Sequence, residues 1–284
     1  MSEQDQVRFL NPWTLLLPEE RGRVLAVAGS GGKSALLRRL YQHYRAEGYS
    51  VLWSQTVDHP PPTQIPEHSI AAPIEKLREE FQHHAALFVA GERDGEGRAR
   101  GLPPRRIEEL RHQLAPDVVL VEAQAQNGKP LLEHGQAPVW PRPLHMVFAL
   151  AGLHAVGSLK PRGGDLSAQD EKPEDGEPPR FTSEDVLRQF TAAGGLLEQT
   201  PQGVPCFPFL SGLGRFRDLD GMFELVAKLW ETPGVKAVLL GELTGHARID
   251  AAEDAAAAQL GGAPHLAGER IYALYPSHLD EVES

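Results

Sequence analysis

Short apolar runs alternate with segments of helical periodicity along most of the chain. Residues 24–28 are apolar and lead into glycines, and residues 34–47 then place Leu36, Leu37 and Leu40 at helical spacing. This pattern predicts a strand, a glycine-rich turn and a helix. Apolar runs predict further strands at residues 51–53, 87–90, 118–121, 144–150, 204–210 and 235–240. Further helices are predicted at 103 to about 114, from Thr182 or Ser183 onward, and at 222–230.

Three stretches interrupt this alternation. Consecutive prolines at positions 60–62 predict a loop over residues 58–72. Residues 160–179 lose their apolar positions and gather Asp, Glu, Gly and Pro, which predicts a polar, mobile segment at about 160–180. From about residue 245 we expect a C-terminal extension, in which the alanine-rich sequence after Asp250 favours a helix whose role the sequence does not reveal.

The first predicted turn has the composition of a phosphate-binding loop. Glycines permit close approach of the backbone to a phosphate, Lys33 can reach the β- and γ-phosphates, and the Ser34 hydroxyl can bind Mg²⁺. Val27 stands where the longer form of the motif has glycine, so this is the short form, which the Mur ligases also use. The alternative is a glycine-rich turn needed only for packing. The predicted phosphate-binding residues are Gly29, Ser30, Gly31, Gly32, Lys33 and Ser34.

Strands that alternate with helices indicate βαβ units and a mainly parallel sheet covered on both faces. Together with the loop, this pattern predicts an α/β, P-loop NTPase-like three-layer fold, with residues 1–284 as a single domain. In a parallel sheet, ligands gather at the carboxyl ends of the strands. Glu122 follows the strand at 118–121, whereas Asp117 precedes it and should lie at the opposite edge.

Glu122 is therefore the predicted acid on the metal side of the site. Lys33 and Glu122 are the predicted catalytic residues, and Ser34 and Glu122 are the predicted metal ligands. The alternative for Glu122 is a solvated acid that ends a strand. Gln124, Asn127 and Lys129 are further candidates for the same cleft. Thr56, Asp58 and His59 end the second strand at the same edge. There an Asp or a His can bind metal or position an attacking group, and the alternative for each of the three is a solvated loop residue. The other histidines are scattered, and we predict no histidine metal site from them.

Composition narrows the class of protein. The 284 residues carry 39 acidic and 28 basic side chains, a formal charge of -11, which argues against nucleic acid and anionic membranes as partners. The sequence has no apolar stretch of membrane-spanning length and a single cysteine, Cys206, which we interpret as a buried structural thiol. We expect a cytoplasmic protein.

Several segments together resemble the YqeC-like family, described as accessory proteins of selenium-dependent hydroxylases. The similarity runs from about residue 20 to about 245. The segments are VLAVAGSGGKSALLRRL, GYSVLWSQTVDHPPP with Thr56, DVVLVEAQAQNGKPLLEHGQAPVWP with Glu122, Ala123, Pro130, Leu131, Pro138 and Pro141, and ALAGLHAVGSL. The resemblance implies a role in maturing a selenium-dependent molybdenum hydroxylase, with that enzyme or its cofactor-assembly proteins as partners.

This chain departs from the family at two positions beside Glu122. Gln124 replaces an aspartate and Ala125 replaces a glycine, so the sequence does not decide whether the protein hydrolyses NTP. The base-reading element near residue 210 is not retained, so the sequence does not decide between ATP and GTP. The leading hypothesis is a Mg²⁺-nucleotide-dependent accessory protein and slow NTPase. The alternatives are an ATP-dependent ligase or small-molecule kinase with a Mur-like loop, and a non-catalytic nucleotide sensor or interaction module.

Overall fold

The chain builds one ten-stranded sheet with helices on both faces in the part that the structure describes. A computed structural model describes residues 8–10, 20–62, 68–125, 131, 137–160, 178–213, 216, 219–235, 237–243 and 271–275. The strands are β1 (Arg8–Leu10), β2 (Arg23–Gly29), β3 (Val51–Gln55), β4 (His68–Ile70), β5 (Ala86–Ala90), β6 (Val118–Glu122), β7 (Met146–Gly152), β8 (Cys206–Ser211), β9 (Val238–Gly241) and β10 (Ile271–Tyr275). The helices are α1 (Lys33–Ala46), α2 (Ile74–His84), α3 (Pro104–Leu114), α4 (Ser183–Thr191), α5 (Leu196–Gln199), α6 (Leu219–Trp230) and a 3₁₀ turn at Leu153–Ala155.

The sheet has the order β1-β10-β9-β8-β7-β2-β6-β3-β5-β4. The neighbours from β9 to β4 are parallel, whereas β10 is antiparallel to β9 and β1 is antiparallel to β10. Strand β2 lies between β6 and β7, so that Val27 is paired with Glu122 on one side and Gly29 with Leu150 on the other. The turn after β2 therefore emerges at the carboxyl ends of three adjacent parallel strands.

Alternate residues of the central strands face two different helical layers. Leu25 and Val27 of β2 belong to a cluster with the apolar side of α1. Val24 and Ala26 face the other way, into a cluster with α2 and α3. On the same face, α4 and α6 cover β7, β8 and β9. The strands are apolar on both sides because both of their faces are buried.

Local signals in the sequence explain where several helices begin and end. Helix α3 begins at Pro104, a residue suited to the first helical position because it has no N–H to satisfy. Helix α4 begins after Thr182, whose side chain forms a reciprocal capping box with Asp185. Helix α1 is followed by Gly48, which has a φ of 85° that glycine adopts without strain.

The predicted α/β, P-loop NTPase-like fold with three layers and a mainly parallel sheet is confirmed. One local prediction was wrong, because residues 58–72 are not all loop: His68–Ile70 form β4, which adds a parallel edge strand to β5. The antiparallel strands β1 and β10 were not predicted. Strands β7, β8 and β9 each begin two or three residues later than the apolar run that predicted them.

Some predictions lie partly outside the described residues. Of the predicted mobile segment, residues 161–177 lie outside, and so do residues 244–270, which include the predicted C-terminal helix. Cys206 is buried as predicted, and burial raises the pKa of its thiol to about 11. Among the helices that the structure describes, none is long and apolar enough to cross a membrane.

Candidate functional site

The turn between β2 and α1 lies tightly against the backbone of β7. A Cβ atom added at Gly29 would lie 2.0 Å from the carbonyl oxygen of Leu150, and one at Gly31 would lie 2.5 Å from the Cα of Gly152. Both glycines also have positive φ, 105° and 82°. Only glycine fits at these two positions, since a side chain would collide with backbone that cannot move away.

Helix α1 starts inside this turn with an open N-terminus. Its N-cap is Gly32, no side chain caps it, and its first turn carries no acidic residue. The first N–H groups of an α-helix have no partner within the helix, and they carry the positive end of the helix dipole. The turn can therefore offer several backbone N–H groups to an anion.

Two buried glutamines hold the turn in place. The Gly29 N–H donates to Gln124 Oε1 at 2.7 Å. Gln189 of α4 accepts from Ser30 Oγ at 3.0 Å and donates through Nε2 to the Leu150 carbonyl at 2.7 Å. The turn is thus tied on one side to the segment after β6 and on the other to α4. Ser211, at the end of β8, adds a hydrogen bond from its Oγ to the Gly31 carbonyl.

Lys33, Ser34 and Glu122 meet just beyond the turn. Ser34 Oγ donates to Glu122 Oε2 at 3.1 Å, and Lys33 Nζ donates to the Gly29 carbonyl at 3.0 Å. The ammonium also lies 3.8 Å from Glu122 Oε1. Burial lowers the pKa of Lys33, and the negative charge of Glu122 only partly opposes that shift. The structure thus brings the predicted catalytic pair and the predicted metal ligands into one cluster.

Glu122 is buried, and one of its carboxylate oxygens accepts no hydrogen bond. The residue is 3% exposed, and its Oε1 accepts no hydrogen bond. A buried carboxylate oxygen in this state is costly unless a cation or another donor satisfies it. Asp117, at the other end of β6, instead accepts hydrogen bonds from the backbone and hydroxyl of Ser50. The choice of Glu122 over Asp117 from strand direction agrees with this placement.

Three polar residues follow β3, and they have different surroundings. Thr56 donates through Oγ1 to the Val139 carbonyl at 2.7 Å, and Asp58 Oδ1 accepts from the Gly101 N–H at 2.9 Å. His59 faces the cluster, with its Nε2 3.9 Å from Glu122 Oε1. Thr56 and Asp58 thus bind the surrounding loops, and only His59 of the three approaches the carboxylate. Asn127 and Lys129 lie outside the described residues.

Gln55, Gln189 and Ser211 have roles at this site that the sequence did not predict. Gln189 and Ser211 are distant from the loop in sequence, so a local pattern cannot reveal that they contact it. Gln55 ends β3 directly beside Glu122, and it is buried. A polar residue just after the apolar run at 51–53 was the signal that the sequence offered for Gln55.

Comparison with known proteins matches the part of the chain that builds the site. The family model described as YqeC protein matches residues 25–160, which include the turn and Glu122. The YqeC protein of Escherichia coli (strain K12) is 26% identical over 248 residues, which cover 81% of this chain and 91% of that protein. The chain is similar to the YqeC family.

A solved structure with a more distant likeness is FtsY from Mycoplasma mycoides. Its alignment with the YqeC-like chain covers 78% of this chain and 60% of FtsY, with 11% identity and a TM-score of 0.38. The chain therefore spans less than two thirds of the length of FtsY.

Proposed function

We propose that this YqeC-like protein binds a nucleotide as its Mg²⁺ complex, with the phosphates on residues 29–34 and Glu122 on the metal side. One observation carries the proposal: an uncapped helix N-terminus lies beside buried Lys33, half-buried Ser34 and buried Glu122, whose Oε1 has no hydrogen-bond partner. The first feature fits a polyphosphate and the second fits its cation.

The phosphate part of the site fits in both shape and charge. Gly29 and Gly31 have no Cβ atom at their positions in the turn, and Gln124 and Gln189 hold the turn in position. Lys33 is held on the Gly29 carbonyl, beside the N-terminus of α1. From there its ammonium can reach the terminal phosphates and stabilise the charge that a transferring phosphoryl group develops.

The metal part of the site uses oxygen ligands. Ser34 Oγ and the carboxylate of Glu122 are hydrogen-bonded to each other, so both can reach one cation. Hydroxyl and carboxylate oxygens are ligands that Mg²⁺ prefers, and it usually keeps several waters and substrate phosphates in its shell. When bound, Mg²⁺ would neutralise phosphate charge and orient the phosphate chain.

We further propose that the protein is a slow NTPase that assists maturation of a selenium-dependent molybdenum hydroxylase. The family resemblance supports this role. A non-catalytic nucleotide sensor is the second candidate, and one contact favours it. Gln124 stands where the family has an acid, and its Oε1 is engaged by the Gly29 N–H instead of facing an attacking water.

The test is calorimetric titration of ATP, GTP and their diphosphates with Mg²⁺ into the wild type, Lys33→Ala and Lys76→Ala. Lys76 is the matched control, because its side chain is 62% exposed and pairs with Glu80 on the surface of α2. Lys33→Ala should weaken nucleotide binding by roughly 100-fold or more, because it removes a buried charged contact to phosphate. Lys76→Ala should bind nucleotide as wild type does. Absence of binding by the wild type would contradict the proposal.

Hydrolysis needs a separate measurement. Phosphate release should be slow for the protein alone and should rise when the apoprotein of a selenium-dependent molybdenum hydroxylase is added. Tight binding with no turnover, with or without that partner, would favour the sensor. A rate that the hydroxylase leaves unchanged would contradict the accessory role.

A further inference from the structure

His59 is held rigidly beside the metal side of the site. Its backbone N–H donates to the Ala99 carbonyl at 3.2 Å, and its own carbonyl accepts from the Ala99 N–H at 3.0 Å. The buried side chain of Gln55 donates through Nε2 to the carbonyls of both His59 and Ala99, at 3.1 and 2.6 Å. The position of the His59 Cα is therefore fixed from both sides, as metal ligands in proteins usually require.

The imidazole ring is oriented as well. His59 Nδ1 lies 2.9 Å from the Pro60 carbonyl, and a carbonyl can only accept. The proton of the neutral ring is therefore on Nδ1, and the lone pair is on Nε2. A backbone carbonyl on the second ring nitrogen is the usual way in which proteins orient a histidine that binds metal.

His59 Nε2 lies near Glu122 Oε1, the carboxylate oxygen that accepts no hydrogen bond. The 3.9 Å between Nε2 and Oε1 is too long for a hydrogen bond. Donor atoms that share a divalent cation at about 2.0–2.2 Å lie roughly 3 to 4 Å apart, so the gap suits a shared cation. The side chain of His59 is 28% exposed, which leaves a path for a cation to enter, whereas the side chain of Glu122 is 4% exposed.

We propose that His59 Nε2 and Glu122 Oε1 bind one divalent cation, with Ser34 as a neighbouring oxygen donor. Groups of three or more His, Cys, Asp or Glu side chains that could hold a metal are absent from the described residues, so phosphate oxygens and water must complete the shell. The inference therefore rests on the proposed nucleotide site. An imidazole ligand shifts the preference of the site from Mg²⁺ toward a transition metal such as Mn²⁺.

Lys33 shares Glu122 with this cation. Its Nζ lies 3.8 Å from the same oxygen and donates to the Gly29 carbonyl. When the Lys33 ammonium moves onto bound phosphates, Glu122 Oε1 loses its nearest positive charge. The same phosphates supply the oxygen ligands that the cation still needs. We therefore expect the cation to bind together with the nucleotide.

The experiment compares wild type, His59→Gln and His83→Gln as complexes with nucleotide and Mn²⁺. His83 is the control, since it is exposed at the end of α2. Electron spin echo envelope modulation should detect a nitrogen bound to Mn²⁺ in wild type and His83→Gln but not in His59→Gln. The preference for Mn²⁺ over Mg²⁺, from calorimetry, should fall at least about tenfold in His59→Gln, since loss of even an indirect partner of a metal ligand typically costs that much.

The outcomes separate this inference from the proposed function. If wild type binds nucleotide but gives no nitrogen signal, or if the signal persists in His59→Gln, then His59 is not a ligand of the cation. Either result would leave the proposed nucleotide site intact. An unchanged urea midpoint for unfolding of His59→Gln, relative to wild type, would show that the variant is folded. Absence of nucleotide binding by the wild type would overturn both.

Discussion

The contact between Gly31 and β7 allows a sharp test of the proposed phosphate-binding turn. In Gly31→Ala, the new Cβ would lie 2.5 Å from the Gly152 Cα and 2.6 Å from its nitrogen. Ordinary contact begins at 3.4 Å, so the turn and β7 must separate by about 1 Å. Gly48→Ala is a matched control, because Gly48 has nearly the same φ, 85° against 82°, and nothing lies within 4 Å of its added Cβ.

The two variants should differ by the cost of the collision alone. A non-glycine residue in the left-handed region costs about 1–2 kcal/mol, and both alanines incur that cost. Gly31→Ala adds an overlap with backbone, for which overpacking costs of about 1–3 kcal/mol apply. We expect the free energy of unfolding to fall by about 1–2 kcal/mol in Gly48→Ala and by about 2–5 kcal/mol in Gly31→Ala.

Urea unfolding measures both changes, and calorimetry measures nucleotide affinity. A turn displaced by about 1 Å loses its alignment with phosphate, so affinity in Gly31→Ala should fall at least about 100-fold. The affinity of Gly48→Ala should remain that of wild type. Equal losses of stability in the two variants, together with unchanged nucleotide binding in Gly31→Ala, would refute the reasoning.

Three further predictions concern other buried groups at or near the sheet. Burial lowers the pKa of Lys33 in the free protein, and bound phosphate should raise it again. Nucleotide affinity should therefore fall as pH rises through the pKa of the free protein, by at most about tenfold per pH unit, and calorimetry in buffers of different ionisation heat should show proton uptake in that range. Gln124→Met leaves the Gly29 N–H without its acceptor and should lower the free energy of unfolding by about 1–3 kcal/mol in urea. Cys206, with a pKa of about 11, is about 0.1% thiolate at pH 8 and should react with a thiol reagent only after unfolding.

The central part of the fold could be predicted from the sequence because its signals are local. The apolar run of β2, the glycine turn and the periodicity of α1 lie within about two dozen consecutive residues. Strand direction then placed Glu122 near the turn without any knowledge of distant contacts. The side chains of Lys33, Ser34 and Glu122 do meet, at hydrogen-bond or ion-pair distances.

The rest of the site depends on contacts between distant segments. Gln189 lies on a helix whose pattern predicts only that it is amphipathic, and nothing near it in sequence indicates that it reaches Ser30. The His59 geometry likewise depends on Ala99 in another loop. Strand β4 was missed because only three residues pair with β5, too few for a period to be recognised.

The pairing of β1 with β10 has a consequence for how the protein is made. Residues 8–10 bind residues 273–275, and β10 also covers the outer edge of β9. On the ribosome, β1 emerges before β10 and has no strand to pair with until residues 271–275 have been translated. During that time the edge of β9 also stays open, and open strand edges invite pairing with other chains. Closure of this side of the sheet therefore waits for β10, whereas β2, α1 and the turn between them are translated more than 200 residues earlier.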